Sequence, residues 1–321
     1  MSATEKNKNM LSKAELYSLF TEKDISFLDQ ADTLFPIRIT RSWFSRIHSL
    51  EDPLAKQVFP QPKELNISRE TLKDPVGEIS KMPVPFVVQK HSNRALLLLS
   101  RKCHIHCRYC FRRSVDDHTE PTTEQLQKAI DYILQAGVQE VMLSGGDPLF
   151  VSNAKLASVL EQLKDIPTIR IHTRAPISFP ERVQPGLLDI LANYPNIWML
   201  VHCNHVQEIN AEVVDALRKI QSVGVPILNQ SVLLKGVNDS VEVLAELCTK
   251  LVELRVFPYY LHHTDKVEGA EDFFVELDEG MQIYTELQRR ISGVALPKYI
   301  IDPPDGSGKI DVASYIASMQ R

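Results

Sequence analysis

Short apolar runs alternate with longer amphipathic stretches along most of the chain. The stretches between the runs repeat their apolar residues with a period near 3.6, which predicts helices. Thr122 precedes one such stretch, and Gly137 and Gly224 follow two others, in positions typical of helix caps. The alternation indicates parallel βαβ units. The apolar runs predict six strands: Ala95–Ser100, Glu140–Ser144, Ile169–Thr173, Ile197–His202, Ile227–Val232 and Phe257–Leu261.

These units predict an α/β fold, namely a partial (β/α)6-type TIM barrel over residues 86–302. An open, doubly wound sheet is the alternative that periodicity does not exclude. Residues 1–85 carry amphipathic patterns and several prolines, and we expect a helical N-terminal extension there. Residues 303–321 are expected to pack on the barrel as a C-terminal segment. Unusual polar residues follow most of the predicted strands, at the rim where barrel enzymes hold their active sites.

Composition narrows the class of protein. The chain has 321 residues and a formal net charge of −5, which argues against nucleic acid or an anionic membrane as partner. The longest apolar run, Ala95–Leu99, is too short to span a bilayer, and the N-terminus lacks a secretion signal. Three of the five cysteines are crowded together, which is a poor disulfide framework. We therefore expect a soluble, cytoplasmic protein.

The crowded cysteines form the most informative motif, "CHIHCRYCFRR". Cys103, Cys107 and Cys110 have the spacing C-x3-C-x2-C. Three thiolates this close can bind three irons of a [4Fe-4S] cluster and leave the fourth iron open to a small molecule. Zinc is the alternative, with His104 or His106 as the fourth ligand. The spacing favours the cluster, and in that case both histidines are expected to be solvated.

Several motifs resemble a known family. The cysteine loop, with Tyr109 inside it, and "SGGDP" at residues 144–148 resemble the radical S-adenosylmethionine (SAM) superfamily. The set is also similar to lysine 2,3-aminomutase, and most of all to the subgroup that makes (R)-β-lysine for modification of elongation factor P. The motifs that carry this resemblance are "NRALLLLSRKC", "CRYCFRR", "LSGGDPL", "NQSVLLKGVND", "DKVEGA" and "DPPDGSGK".

The resemblance implies three cofactors. A [4Fe-4S] cluster on Cys103, Cys107 and Cys110 would bind SAM at its open iron. Pyridoxal 5′-phosphate (PLP) would be linked to Lys309, with Arg94 at its phosphate. In this family such a site needs an external electron donor, flavodoxin or ferredoxin. The positions that match SAM contacts of the family are Gly145, Gly146, Asp147, His202 and Gln230.

The resemblance also implies an isomerase that converts L-lysine to β-lysine. Arg112 matches the residue that binds the substrate carboxylate, and Asp265 and Asp302 match the acids that bind the distal ammonium. An aminomutase for another amino acid, such as glutamate, is an alternative, but the two acids would repel such a substrate. A non-catalytic iron–sulfur or zinc module is the other alternative. The oligomeric state stays open, and a homo-oligomer is compatible with the sequence.

Two features depart from the free-standing aminomutases. The chain ends about a dozen residues after Lys309, so we do not expect their C-terminal extension with its zinc-binding cysteine. His91 stands where relatives often have a tyrosine. The role of His91 is therefore not predicted.

Overall fold

One sheet forms the centre of the molecule. The computed structural model describes residues 9–19, 22–114 and 119–320, with the backbone alone for residues 22–25. The strands of this described part lie in sequence order, with β2 to β8 parallel and β1 and β9 antiparallel at the two edges. They are β1 Val87–His91, β2 Arg94–Ser100, β3 Glu140–Gly145, β4 Thr168–Thr173, β5 Ile197–Val201, β6 Ile227–Val232, β7 Phe257–His262, β8 Lys298–Ile301 and β9 Ile310–Asp311.

This sheet confirms the predicted class of fold. All six predicted strands are present as β2 to β7, and none of their ends differs from the prediction by more than one residue. A doubly wound sheet requires the strand order to reverse, whereas here each strand pairs with the next one in the chain. Among the described residues the order begins at β1 and ends at β9 without a pairing between them. The sheet is therefore a partial barrel.

Helices cover the outer face of the sheet where the amphipathic periods predict them. Thr122 caps α5 and accepts from the backbone N–H of Gln125, and Gly137 follows this helix with a φ of +62°. The helices are α1 Lys13–Tyr17, α2 Glu22–Leu34, α3 Arg41–Phe44, α4 Pro53–Lys56, α5 Thr123–Gln135, α6 Asn153–Leu163, α7 Ala175–Ser178, α8 Pro185–Ala192, α9 Ala211–Ser222, α10 Val241–Glu253, α11 Leu277–Arg290 and α12 Val312–Met319.

The described N-terminal region shares its core with the barrel. Trp43 and Phe59 are fully buried in the same apolar cluster as the strand residues Leu97 and Leu143. Burial of side chains of this size contributes about 1.5–3 kcal/mol each. The buried guanidinium of Arg46 also donates to backbone carbonyls of the barrel. The extension thus covers one side of the barrel.

The C-terminal segment adds the last strand to the sheet, next to β8. β9 pairs with β8, and Val312 at the start of α12 is buried against Tyr299 of β8. The loop between β8 and β9 packs tightly, because a side chain at Gly308 would lie 2.5 Å from Nε2 of His91. This loop contains Lys309. In the described residues, no helix is both long enough and apolar enough to span a membrane.

Candidate active site

Three free thiols lie on the cysteine loop, residues 101–114, which follows β2 directly. Cys103, Cys107 and Cys110 are half-buried, and the N–H of Cys110 donates to the carbonyl of Cys107 at 3.0 Å. Burial raises the pKa of the Cys103 thiol well above its usual value, and that of Cys110 to about 11. Coordination to a cation would hold these neighbouring thiols as thiolates.

The two histidines of the loop contact aromatic rings. His104 is buried, contrary to expectation, with ring centroids 4.7 Å from Phe179 and 5.0 Å from Phe150. His106 stacks on Phe35 at 5.0 Å, and its Nδ1 lies 2.8 Å from the carbonyl of Pro36. No group of three or more Cys, His, Asp or Glu side chains in the described part could hold a single metal ion. A cubane cluster instead takes one thiolate on each of three irons.

A buried network of ion pairs holds the cysteine loop in place. Arg108 is fully buried and pairs with Glu64, its Nε lying 3.0 Å from Oε1. Arg113, also buried, pairs with the same glutamate at 2.8 Å. Because an unpaired buried charge costs several kcal/mol, Glu64 is required to hold both arginines in place. The network therefore fixes the loop conformation.

Arg174, at the end of β4, faces the cysteines. Its Nη1 lies 2.7 Å from Sγ of Cys107, and its Nη2 contacts Gln57 at 2.6 Å and Glu208 at 3.1 Å. Glu208 is fully buried. The cation is thus fixed opposite a thiol, and hydrogen bonds to ligand sulfurs help to set the reduction potential of a cluster.

The "SGGDP" loop approaches the cysteine loop closely. Gly145 has a φ of +122°, and a side chain there would lie 2.1 Å from the carbonyl of Ser100. A side chain at Gly146 would lie 2.5 Å from the carbonyl of Lys102. Asp147 is buried, and its oxygens accept from the Thr173 hydroxyl and the Arg174 N–H. Both oxygens of Asp147 are thus used within the protein to hold the loop.

Three histidines line the interior near the rim. His202 lies 2.5 Å from Nε2 of Gln230, and burial lowers its pKa to about 3. His172 on β4 and His262 on β7, which the sequence reasoning did not select, have pKa values well below the usual range, mainly because of burial. The Nε2 atoms of His172 and His262 are buried and find no hydrogen-bond partner among the described residues. Neutral imidazoles therefore line the interior.

The guanidinium of Arg112 is paired with Glu78, another residue that was not predicted from the sequence. Its Nε and Nη2 donate to the two oxygens of Glu78 at 2.8 and 2.6 Å. Its Nη1 donates to the carbonyl of Gly145 at 2.8 Å. The carboxylate subsite predicted at Arg112 is thus filled by a carboxylate of the protein. No spacing pattern marked Glu78, because it approaches Arg112 only in the folded chain.

Lys309 and Asp302 lie together at the mouth of the barrel. The carboxylate of Asp302 contacts Nζ of Lys309 at 3.3 Å and Nζ of Lys90 at 2.8 Å. Lys90, also missed from the sequence, projects from β1. Asp302 therefore already bridges two ammonium groups, whereas the sequence predicted it as a binding group for an ammonium of the substrate.

Asp265 differs from Asp302 in having no cation of its own. The described residues offer its carboxylate no hydrogen bond or ion pair. Burial and the neighbouring Asp302 raise the pKa of Asp265 to about 7, against the opposing charges of Lys309 and Lys90. No carboxylate of the described part pairs with Arg94, the first residue of β2, which lies opposite His91 in the β1–β2 pairing. Among the described residues, the carboxylate of Asp265 and the guanidinium of Arg94 thus have no partner of opposite charge in direct contact.

Residues 97–248 match the family model of the radical SAM superfamily. This range begins in β2 and includes the cysteine loop, the "SGGDP" loop and the interior histidines at 172 and 202. The chain is therefore a radical SAM enzyme, a class that uses a [4Fe-4S] cluster and SAM. The recognition of this superfamily from the cysteine spacing is confirmed.

Curated relatives define the family more narrowly. An L-lysine 2,3-aminomutase of Buchnera aphidicola subsp. Baizongia pistaciae is 38% identical over 289 residues, which cover 88% of this chain and 85% of that protein. One from Clostridium subterminale is 39% identical over 274 residues, covering 83% of this chain but 66% of the longer relative. This chain belongs to the L-lysine 2,3-aminomutase family, which consists of isomerases.

Proposed function

We propose that this chain is a PLP-dependent lysine 2,3-aminomutase that converts L-lysine to (R)-β-lysine for modification of elongation factor P. The observation that carries the proposal is Asp265: its carboxylate lies near Lys309 and Asp302, but no cation of the described residues is in direct contact with it. A substrate with a distal ammonium would supply the missing charge. Glutamate would place a further negative charge near two acids, and we therefore disfavour it.

The cluster is assigned to Cys103, Cys107 and Cys110. The residues fit such a group, because the three thiols lie on one short loop, burial desolvates those of Cys103 and Cys110, and Arg174 donates to that of Cys107. Gly145 and Gly146 let the "SGGDP" loop pack directly against the cysteine loop, and His202 with Gln230 offers polar groups for SAM. We expect flavodoxin or ferredoxin as the electron donor and the cytoplasm as the location.

PLP is assigned to Lys309. The side chain is 38% exposed, so Nζ is accessible, while Asp302 orients it. Arg94 fits a phosphate, because it carries a charge without a carboxylate partner in the described part. When bound, the three cofactors supply a 5′-deoxyadenosyl radical and a carrier for the migrating nitrogen.

The remaining residues bind and orient the substrate. Asp265 would hold the distal ammonium, and Arg112 the carboxylate once Glu78 has moved away. The neutral imidazoles of His172, His202 and His262 neither repel the substrate nor supply protons readily, because their pKa values are depressed. Two fixed charges at opposite ends of a flexible amino acid hold its C2 and C3 in one orientation, which is a large part of catalysis by positioning.

Each cluster cysteine is expected to be essential. Cys103→Ala, Cys107→Ala and Cys110→Ala each remove one thiolate, so iron content and anaerobic reductive cleavage of SAM should both be lost. Cys248→Ala is the matched control, because that thiol is buried on α10 outside the cysteine loop. Full SAM cleavage by any one of the three variants would refute the ligand set.

The function is tested by anaerobic incubation of the reduced, reconstituted protein with L-lysine or L-glutamate, followed by amino acid analysis. We expect β-lysine from lysine only, and only when SAM and PLP are both present. Product from glutamate instead of lysine would favour the alternative aminomutase. An absence of product from either amino acid, in protein with a full cluster, would favour the non-catalytic module.

A further inference from the structure

Glu78 and Arg112 form a buried ion pair near the proposed substrate site. Two parallel hydrogen bonds, of 2.8 and 2.6 Å, join the Nε–Nη2 edge of Arg112 to both oxygens of Glu78. Only 12% of the arginine side chain and 7% of the glutamate side chain are exposed. This is the bidentate geometry in which arginine binds any carboxylate, including that of a free amino acid.

Because Arg112 is already paired with Glu78, its guanidinium is not an open site for a substrate carboxylate. A substrate carboxylate that binds the same edge must replace Glu78, since that edge holds one carboxylate at a time. The exchange keeps the buried guanidinium paired before and after binding, which avoids the cost of a bare charge in a dry site. Glu78 therefore competes with the ligand for Arg112.

The segment that carries Glu78 also contacts the Lys309 loop. A side chain at Gly77 would lie 2.6 Å from the carbonyl of Pro304, so the two backbones touch. The carbonyl of Val76 accepts from Nζ of Lys90, which in turn pairs with Asp302. Movement of Glu78 would thus alter the contacts of Asp302, whose carboxylate orients Lys309.

We propose that Glu78 is an internal stand-in for the α-carboxylate of the amino acid substrate, and that substrate binding displaces it together with residues 75–81. The inference rests on the proposed function, because it takes Arg112 as the carboxylate subsite. It goes further by making Glu78 a specificity-determining residue: a ligand without a carboxylate cannot open this contact.

The test compares two ligands and two variants in holoenzyme reconstituted with cluster and PLP, without SAM, so that no turnover occurs. L-lysine carries the carboxylate, and 1,5-diaminopentane has the same two amino groups without it. Glu78→Gln keeps the shape but weakens the competition. Glu124→Gln is the matched control, because Glu124 pairs with Lys128 on the exposed face of α5.

We expect Glu78→Gln to bind L-lysine about tenfold more tightly than the wild type does. This factor corresponds to a rise in the fraction of molecules with Arg112 available to the ligand, from about a tenth to nearly all. The affinity for diaminopentane should not change, and Glu124→Gln should match the wild type with both ligands. Lysine affinity that is unchanged or weaker in Glu78→Gln would overturn the inference while leaving the function intact. Failure of lysine to bind any of the proteins would overturn both.

Hydrogen exchange in the wild type provides a measurement that does not depend on the folding of a variant. L-lysine should increase amide exchange in residues 75–81, because their contact with Arg112 opens. Diaminopentane should leave exchange there unchanged. Unchanged or stronger protection of residues 75–81 by bound lysine would overturn the displacement.

Discussion

Lys309→Ala is expected to lower lysine turnover by at least about 1,000-fold while iron content stays at the wild-type level. The variant loses the amino group that carries PLP, but it leaves the cysteine loop and its network of buried charges untouched. Arg94 remains as a phosphate contact, so weak, non-covalent PLP binding is compatible with this result. Absorbance of bound PLP and iron content therefore separate the two cofactors.

Lys90 is a second lysine that the experiment must distinguish from Lys309. The Nζ atoms of Lys90 and Lys309 both contact the carboxylate of Asp302, so Lys90 is the alternative point of attachment for PLP. Borohydride reduction followed by peptide mapping should find PLP on Lys309 in the wild type and on no lysine in Lys309→Ala. Lys266→Ala, a change of an exposed lysine that pairs with Glu70, is the control. PLP attached to Lys90 in the wild type would refute the assignment.

Asp265→Asn is expected to raise the lysine concentration required for half-maximal rate by about 100-fold, because about 3 kcal/mol is lost when a buried ammonium has no counter-charge. Iron content, PLP binding and SAM cleavage without substrate should change little. Asp302→Asn is a less selective change, because it also releases Lys90 and Lys309. Wild-type affinity for lysine in Asp265→Asn would show that the ammonium binds elsewhere.

The pKa of Asp265 gives the same prediction a dependence on pH. Burial and Asp302 raise this pKa to about 7, Glu78 acts weakly in the same direction, and Lys309 and Lys90 oppose them. Below pH 7 the carboxyl is mostly neutral and cannot compensate an ammonium. The affinity for lysine should therefore fall by up to about tenfold per pH unit below 7, and Asp265→Asn should lack this dependence.

Most of the barrel could be predicted from local patterns. β2 to β7 are apolar runs between amphipathic helices, and the caps at Thr122 and Gly137 lie where the sequence places them. The edge strands β1 and β9 were missed, because they are short, partly exposed and paired antiparallel, outside the βαβ alternation. β8, a parallel strand of four residues, was missed as well. α11 and α12, which cover the last strands, were not predicted either.

Only those residues of the candidate site that lie in short sequence motifs were predicted. The cysteines, the two glycines and Lys309 lie in short segments with a recognisable order. Glu78, Glu64 and Lys90 act through contacts across 34, 44 and 212 positions of sequence, which no local pattern encodes. Their charges are nevertheless what keeps the arginines and Lys309 of the site in position.

The most direct test of the central claim is chiral chromatography of the product formed from L-lysine by the reduced holoenzyme. The proposed function predicts β-lysine, predominantly the (R) enantiomer, formed only with SAM and PLP and absent from the Lys309→Ala reaction. Recovery of unchanged L-lysine alone, from protein with a full cluster and bound PLP that cleaves SAM, would contradict it.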